Sequence, residues 1–292
     1  MSNLSERAML VQLHISSWSG MMVDRDVTDA TNSDFKAEKD AGRYNKRLVA
    51  AKFMEGISSA HSKARNTHRI LTLPWEDNGA RALASVGFIA YRSAMDECKL
   101  RAAKEVKAFL ETRDAYIADA QRRLGDMYNI DDYPSADDIK AKFAFDVEIK
   151  PMPEAGDFRA KLSDESVKAV VKDIERRSQE RLEVAMKDVF KRISEMVERM
   201  SSRLRDYQPP KGGNKAEGII RDSLVSNIYE LANDVLPALN ITNDKRIDEL
   251  RASLLNDLVE HSPEILRADA KVRQATISKA DKILKKVKSY MV

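Results

Sequence analysis

The stretch Phe88-Ile-Ala-Tyr-Arg-Ser-Ala-Met-Asp-Glu-Cys-Lys-Leu-Arg-Ala-Ala-Lys-Glu-Val-Lys-Ala-Phe109 places apolar side chains at Phe88, Tyr91, Met95, Cys98, Ala102, Val106 and Phe109. The steps are all three or four residues, a repeat that keeps one seam turned toward a partner helix. A second run, Leu182, Met186, Val189, Ile193, Met196 and Met200, has the same rhythm. Each run lies in a helical stretch of about 40 residues, roughly 60 Å long at 1.5 Å per residue. So narrow a stripe cannot close a core by itself. The spacing predicts a mainly α fold: long coiled-coil-like helices forming a helical hairpin or bundle, with a minimal two-stranded β element.

Outward from these runs, the first helix is expected from about Ala80 to Leu124 and the second from Ser163 to about Tyr207. An earlier helix is expected from Tyr44 to Leu71, weakened in its middle by Gly56 and ended before Pro74. The segment from Ser19 to Gly42 reads as irregular. Two strands are expected. Around Val11, Leu13 and Ile15 apolar side chains alternate with Gln12, His14 and Ser16; Phe143, Phe145, Val147 and Ile149 alternate with charged or small residues. Unpaired strands leave backbone groups unsatisfied, so these two are expected to pair. Ser135 reads as an N-cap with Asp137 and Asp138 in the first turn, and Ser262-Pro263 as N-cap and first helical residue. Pro209-Pro210-Lys-Gly-Gly213 should break the second long helix. Three shorter helices follow, about Lys215 to Leu236, Asp244 to Glu260 and Pro263 to Met291. The implied division is 1–160 (helical hairpin with a small β element), 161–208 (connecting helix) and 209–292 (helices with a basic end).

Composition bounds function. With 33% charged and only 6% aromatic residues over 292 positions, the chain suits long helices better than a compact enzyme. A net charge of +3 does not demand a nucleic-acid partner. The lone cysteine, Cys98, fits a reducing compartment, and its place in the seam suits a small buried hydrophobe. No run approaches the ~20 apolar residues needed to span a bilayer, and no secretory signal opens the chain. A cytoplasmic protein without a membrane association is expected.

Chemistry-bearing patterns are few. Neither common phosphate-loop motif occurs; Lys211 beside Gly212-Gly213 reads as linker. His61 and His68, two turns apart, stand about 10 Å from each other, too far to share one ion. Asp131-Asp132 and Asp137-Asp138 read as helix-start carboxylates rather than an acid–base pair. No catalytic residue, cofactor or metal is expected. From Lys271 to Val292, Lys279, Lys282, Lys285, Lys286 and Lys288 stand with Lys271 and Arg273 against a single acid, Asp281. These lysines are candidate contacts for an anion or nucleic acid, or a solvated face that stabilises its helix end.

The loop Leu73-Pro-Trp-Glu-Asp-Asn-Gly79 combines an aromatic anchor with carboxylate flanks, so Pro74, Trp75, Glu76 and Asp77, with Trp18, are candidate partner contacts. Placed between two helices, it should form the tip of a helical hairpin. The competing reading tucks Trp75 inward to lock the turn.

Ile15-Ser-Ser-Trp-Ser-Gly20, Ala41-Gly-Arg-Tyr-Asn-Lys-Arg-Leu48 and Thr72-Leu-Pro-Trp-Glu-Asp-Asn-Gly-Ala-Arg-Ala-Leu83 resemble a family of bacteriophage and mobile-element proteins. Asp132-Tyr-Pro-Ser135, Lys142-Phe-Ala-Phe145 and Pro153-Glu-Ala-Gly-Asp-Phe-Arg159 are similar as well. The resemblance spans residues 10 to 160. Family members are often encoded near a MoxR-type AAA+ ATPase and a von Willebrand factor A-like protein, which implies a partner or client role. Many carry a basic pair where this chain has Met21-Met22. The expectation is a non-enzymatic scaffold or adaptor that forms a homo-oligomer and works with the ATPase in a bacterial host cytoplasm. The alternative is a DNA-associated phage protein using the basic C-terminal helix.

Overall fold

The computed structural model describes residues 4–77, 79–153, 164–210 and 216–291. Its strands are β1 (Ala8–Ser16), β2 (Met21–Asp24), β3 (Tyr44–Arg47), β4 (Leu73–Pro74), β5 (Arg81–Ala84) and β6 (Ala144–Pro151). Its helices are α1 (Leu4–Arg7), α2 (Arg25–Asp34), α3 (Glu55–Ile70), α4 (Phe88–Glu111), α5 (Arg113–Leu124), α6 (Ala136–Ala141) and α7 (Asp164–Asp206). They continue as α8 (Ser223–Glu230), α9 (Leu236–Leu239), α10 (Lys245–Leu258), α11 (Pro263–Ala268) and α12 (Ala270–Tyr290).

The expectation of a helical bundle with minimal β structure is wrong. Helix dominates, but the fold is mixed α/β, with a four-stranded antiparallel sheet in the order β4-β5-β1-β6 and a separate β2-β3 ribbon. The two expected strands are neighbours, as β1 and β6. Two unexpected strands, β3 and β5, lie where helices were expected; β2 and α2 fall in the segment read as irregular, and β4 in the loop before Gly79. Arg81–Ala84, read as the opening of a helix, pairs antiparallel with β1, setting Ala8 opposite Ala84 and Leu10 opposite Ala82. Its short apolar residues suit the buried middle of a sheet as well as a helix, and pairing decides. Tyr44–Arg47, read as helix, pairs with β2. Gly56 then falls in the first turn of α3, where a Cβ would run into the Glu105 side chain.

The chain divides into two compact units, and neither is continuous in sequence. One comprises residues 1–12, 69–91 and 149–292; the other comprises 13–68 and 92–148. In the first, α7 lies along α12 and contributes Val189, Phe190, Ile193, Val197, Met200 and Leu204 to a core shared with Ile277, Ala280, Ile283 and Val287. α8, α9 and α10 complete it through Ile228, Leu236, Leu250 and Leu254. Pro237 lacks the amide that would continue an α-helical ladder, and a π turn at Leu231–Val235 separates α8 from α9. Asp269 interrupts the last expected helix and caps α12 by accepting from the Lys271 and Val272 amides. α7 ends at Asp206, and Gln208 and Glu217 exchange backbone hydrogen bonds of 2.8 and 3.1 Å. Gly218 follows at φ +72°, where a Cβ would stand 2.6 Å from the Asp206 carbonyl oxygen. The expected N-cap Ser163, and Lys211-Gly212-Gly213, lie outside the described residues.

The second unit is built on aromatic packing. Phe109 stacks on Tyr116 with centroids 5.3 Å apart, and Trp18, Phe53, Tyr133 and Phe143 surround the pair. Thr67 of α3 faces Cys98 of α4, and Gly56 faces Glu105, so the two helices run antiparallel. α6 begins as expected: the Asp138 amide donates to Ser135 Oγ, and the Ser135 hydroxyl donates back to Asp138.

Both heptad seams are therefore filled from within the chain. Tyr91, Met95, Cys98, Ala102 and Phe109 are buried, as are Met186, Val189, Ile193 and Met200. α7 lies along α12 of the same chain, and Cys98 of α4 meets Thr67 of α3.

Candidate partner-contact site

The loop around Trp75 does not cap a helical hairpin. It is the turn of a β-hairpin: Pro74 pairs with Arg81 and Leu73 with Ala82. The Glu76 amide donates to the Ala80 carbonyl (2.9 Å), and Gly79 (φ +98°) donates to the Glu76 carbonyl (3.2 Å). A left-handed residue at Gly79 costs little only because there is no Cβ. Pro74 sits on the edge strand, where its missing amide breaks no ladder bond.

Trp75 is 6% exposed and belongs to the core that includes Leu73, Ala82, Ala185 and Val189. It locks the turn, and its buried indole Nε1 finds no acceptor. The polar candidates beside it are accessible: Pro74 and Glu76 are half-buried and Asp77 is exposed. Glu76 accepts from Arg181 of α7 at 3.2 Å. With Glu180 and Val184, these residues line an open pocket of about 240 Å³. Asp77 has no partner among the described residues, and Val184 is 57% exposed.

α7 changes character at this point. From Ala185 onward it is core, whereas no residue from Asp164 to Val184 is buried. That first half carries Val167, Val170, Val171 and Ile174 along one stripe at i, i+3, i+4 and i+7. Each of the four is half-buried. The heptad reading began at Leu182 and missed them.

The other candidates are placed elsewhere. Trp18 is 7% exposed and packs 6.2 Å from Phe109 in the second unit's core. In the basic helix, Lys279 lies 2.7 Å from Glu260, Lys286 2.9 Å from Glu249 and Lys288 3.2 Å from Glu198. Asp281, the lone acid of that stretch, accepts from Arg205. Of the five candidate lysines, only Lys282 and Lys285 have no acidic partner among the described residues; they share an exposed stripe with Lys271.

Sequence reasoning missed two polar nodes. Lys46 Nζ, 5% exposed as a residue, lies 2.6 Å from Asp24 and 2.7 Å from Asp132 and donates to the Met127 carbonyl at 3.1 Å. The ammonium thus donates to one carbonyl and is ion-paired with two carboxylates, of which Asp132 Oδ2 is buried and accepts no hydrogen bond among the described residues. Hydrogen bonding from Lys46, then from the Val27 amide, holds the Asp24 carboxyl below the usual range. The two carboxylates raise the Lys46 ammonium against the opposing effect of burial. The second node joins Arg81 and Arg192 at the C-terminus of α3: Arg81 donates to Thr72 Oγ1 (2.7 Å), and Arg192 donates to the carbonyls of Ile70 and Thr72, both at 2.8 Å. Cations there complement the negative helix end. His61 and His68 are buried on α3, and burial, then Arg65, keeps the His61 pKa low.

Among the described residues, no three or more His, Cys, Asp or Glu side chains are grouped to hold a metal ion, and no helix is long and apolar enough to cross a membrane. No family model, curated protein or solved structure matches the chain.

Proposed function

We propose that the chain is a non-enzymatic adaptor that binds a partner through the β4–β5 turn and the first half of α7. The observation that supports this is the contrast within α7: Asp164–Val184 presents an apolar stripe with no buried residue, continuous with a helix half that is core. The four β-branched residues of this stripe are only half-buried among the described residues. The stripe makes sense as a surface covered on assembly. The resemblance in residues 10 to 160 makes a MoxR-type AAA+ ATPase, alone or with a von Willebrand factor A-like protein, the first partner to test, in a phage or mobile-element setting inside a bacterial host. Self-association, in this reading, falls to the same half of α7, because both heptad seams are filled.

The test is affinity capture of the ATPase by the wild-type chain and by a Val171→Glu/Ile174→Glu variant. Capture by the wild type, a tenfold loss in the variant and an unchanged melting temperature support the reading. Equal capture by both overturns it, and capture by neither overturns the ATPase as its partner.

A further inference from the structure

The pocket beside Trp75 has a chemistry that narrows its occupant. At about 240 Å³ it is below the ~300–1,000 Å³ typical of cofactor and drug-sized sites. Its lining contains three carboxylates, Glu76, Asp77 and Glu180, and one cation, Arg181. Arg181 is engaged by Glu76, and Glu180 accepts from Arg176 at 2.7 Å, which leaves the Asp77 carboxylate without a cation among the described residues. The apolar part of the lining is Pro74, Trp75 and the exposed Val184.

We infer that this pocket receives one lysine or arginine side chain of a partner peptide, its aliphatic stem against Val184 and Pro74 and its charged head at Asp77 and Glu180. The inference rests on the adaptor reading of this surface and adds the partner's chemistry. Long basic side chains bury their stems along apolar surface while keeping the head polar. A carboxylate partner would meet the Asp77 carboxylate, and a purely apolar one would desolvate it without compensation.

The experiment uses the full chain and small probes. Acetyl-lysine amide and acetyl-arginine amide are titrated while the two tryptophan indole resonances are followed by NMR, with acetyl-norleucine amide as the uncharged comparison. The Trp75 indole signal is expected to shift with a roughly millimolar midpoint, the range open to so few ligand atoms. The Trp18 signal should stay in place. Asp77→Asn should weaken the response at least threefold. Val184→Lys, which supplies a competing cation from an exposed position, should abolish it without lowering the melting temperature. A norleucine response equal to that of lysine, or no Trp75 shift with either basic probe, overturns the inference. The two readings fail separately. ATPase capture that depends on Val171 and Ile174 with a silent pocket removes only the basic-side-chain assignment. A responsive pocket with no captured partner removes only the ATPase.

Discussion

Lys46 Nζ lies 2.7 Å from Asp132 Oδ2, a contact between a strand and a loop far apart in sequence. Asp24 closes the group at 2.6 Å. Replacing Lys46 with Met would leave two enclosed carboxylates without a counter-ion and should destabilise by about 3–5 kcal/mol. Asp24→Asn and Asp132→Asn added to Lys46→Met should recover part of that loss. Urea unfolding followed by circular dichroism measures both. A Lys46→Met variant within 1 kcal/mol of wild type, on the order of a surface change, would refute the assignment. Acid acts on the same group. Because the folded pKa of Asp24 is lowered, its contribution is present above its unfolded value of ~3.9 and is lost as pH falls through the folded value.

This node shows where sequence reading stops. The alternation at Phe145, Val147 and Ile149, the cap at Ser135 and the span of α7 were legible because each is a local pattern with a local cause. Lys46 on a four-residue strand carries no such pattern, since its acceptors arrive from Asp24, Met127 and Asp132. The heptad at Tyr91 and Met95 announced a partner helix and could not say from which chain. Arg81–Ala84 looked helical because alanine and leucine favour helices wherever pairing does not intervene. The candidate contact loop was picked out by its composition alone. Its hairpin geometry rests on pairing between Leu73-Pro74 and Arg81-Ala82, and the pocket on α7 brings Glu76 to Arg181, more than a hundred residues away.

Trp75 separates volume from hydrogen bonding. Trp75→Ala should cost about 3–5 kcal/mol, because it empties a core position. Trp75→Phe should cost far less than that, since it keeps an aromatic ring and removes a buried donor that has no acceptor. Thermal melts of the two variants check the ordering. Equal losses would show that Nε1 has a partner in solution.

His61 should make the protein sensitive to mild acid. Burial disfavours its charged form, so the folded pKa lies below the unfolded ~6.5. The stabilisation is complete above ~6.5 and declines as pH falls toward and through the folded value. Urea midpoints at pH 7.5 and 5.5 should therefore differ, and His61→Leu should shrink the difference. An unchanged difference in that variant would place the acid sensitivity elsewhere.

The C-terminal helix should be a weak ligand for DNA. With Lys279, Lys286 and Lys288 bridged to glutamates, Lys271, Lys282 and Lys285 remain. Three released counterions give a slope of log affinity against log salt of about −3. Filter binding between 50 and 200 mM salt measures it. A slope near −6 would mean that the bridges open for phosphate, which favours the DNA reading.

The interleaved path of the chain sets a timetable for synthesis. Every segment of the aromatic unit has been made once residue 148 is joined. Leu10 is made well before Ile283 and Val287, which belong to the same core. At 5–20 residues per second, that strand waits on the order of tens of seconds for the last part of this core. During that interval the ribosome holds a half-finished molecule whose open core is an invitation to chaperones, and a stop codon anywhere before α12 leaves that core permanently without Ile283 and Val287.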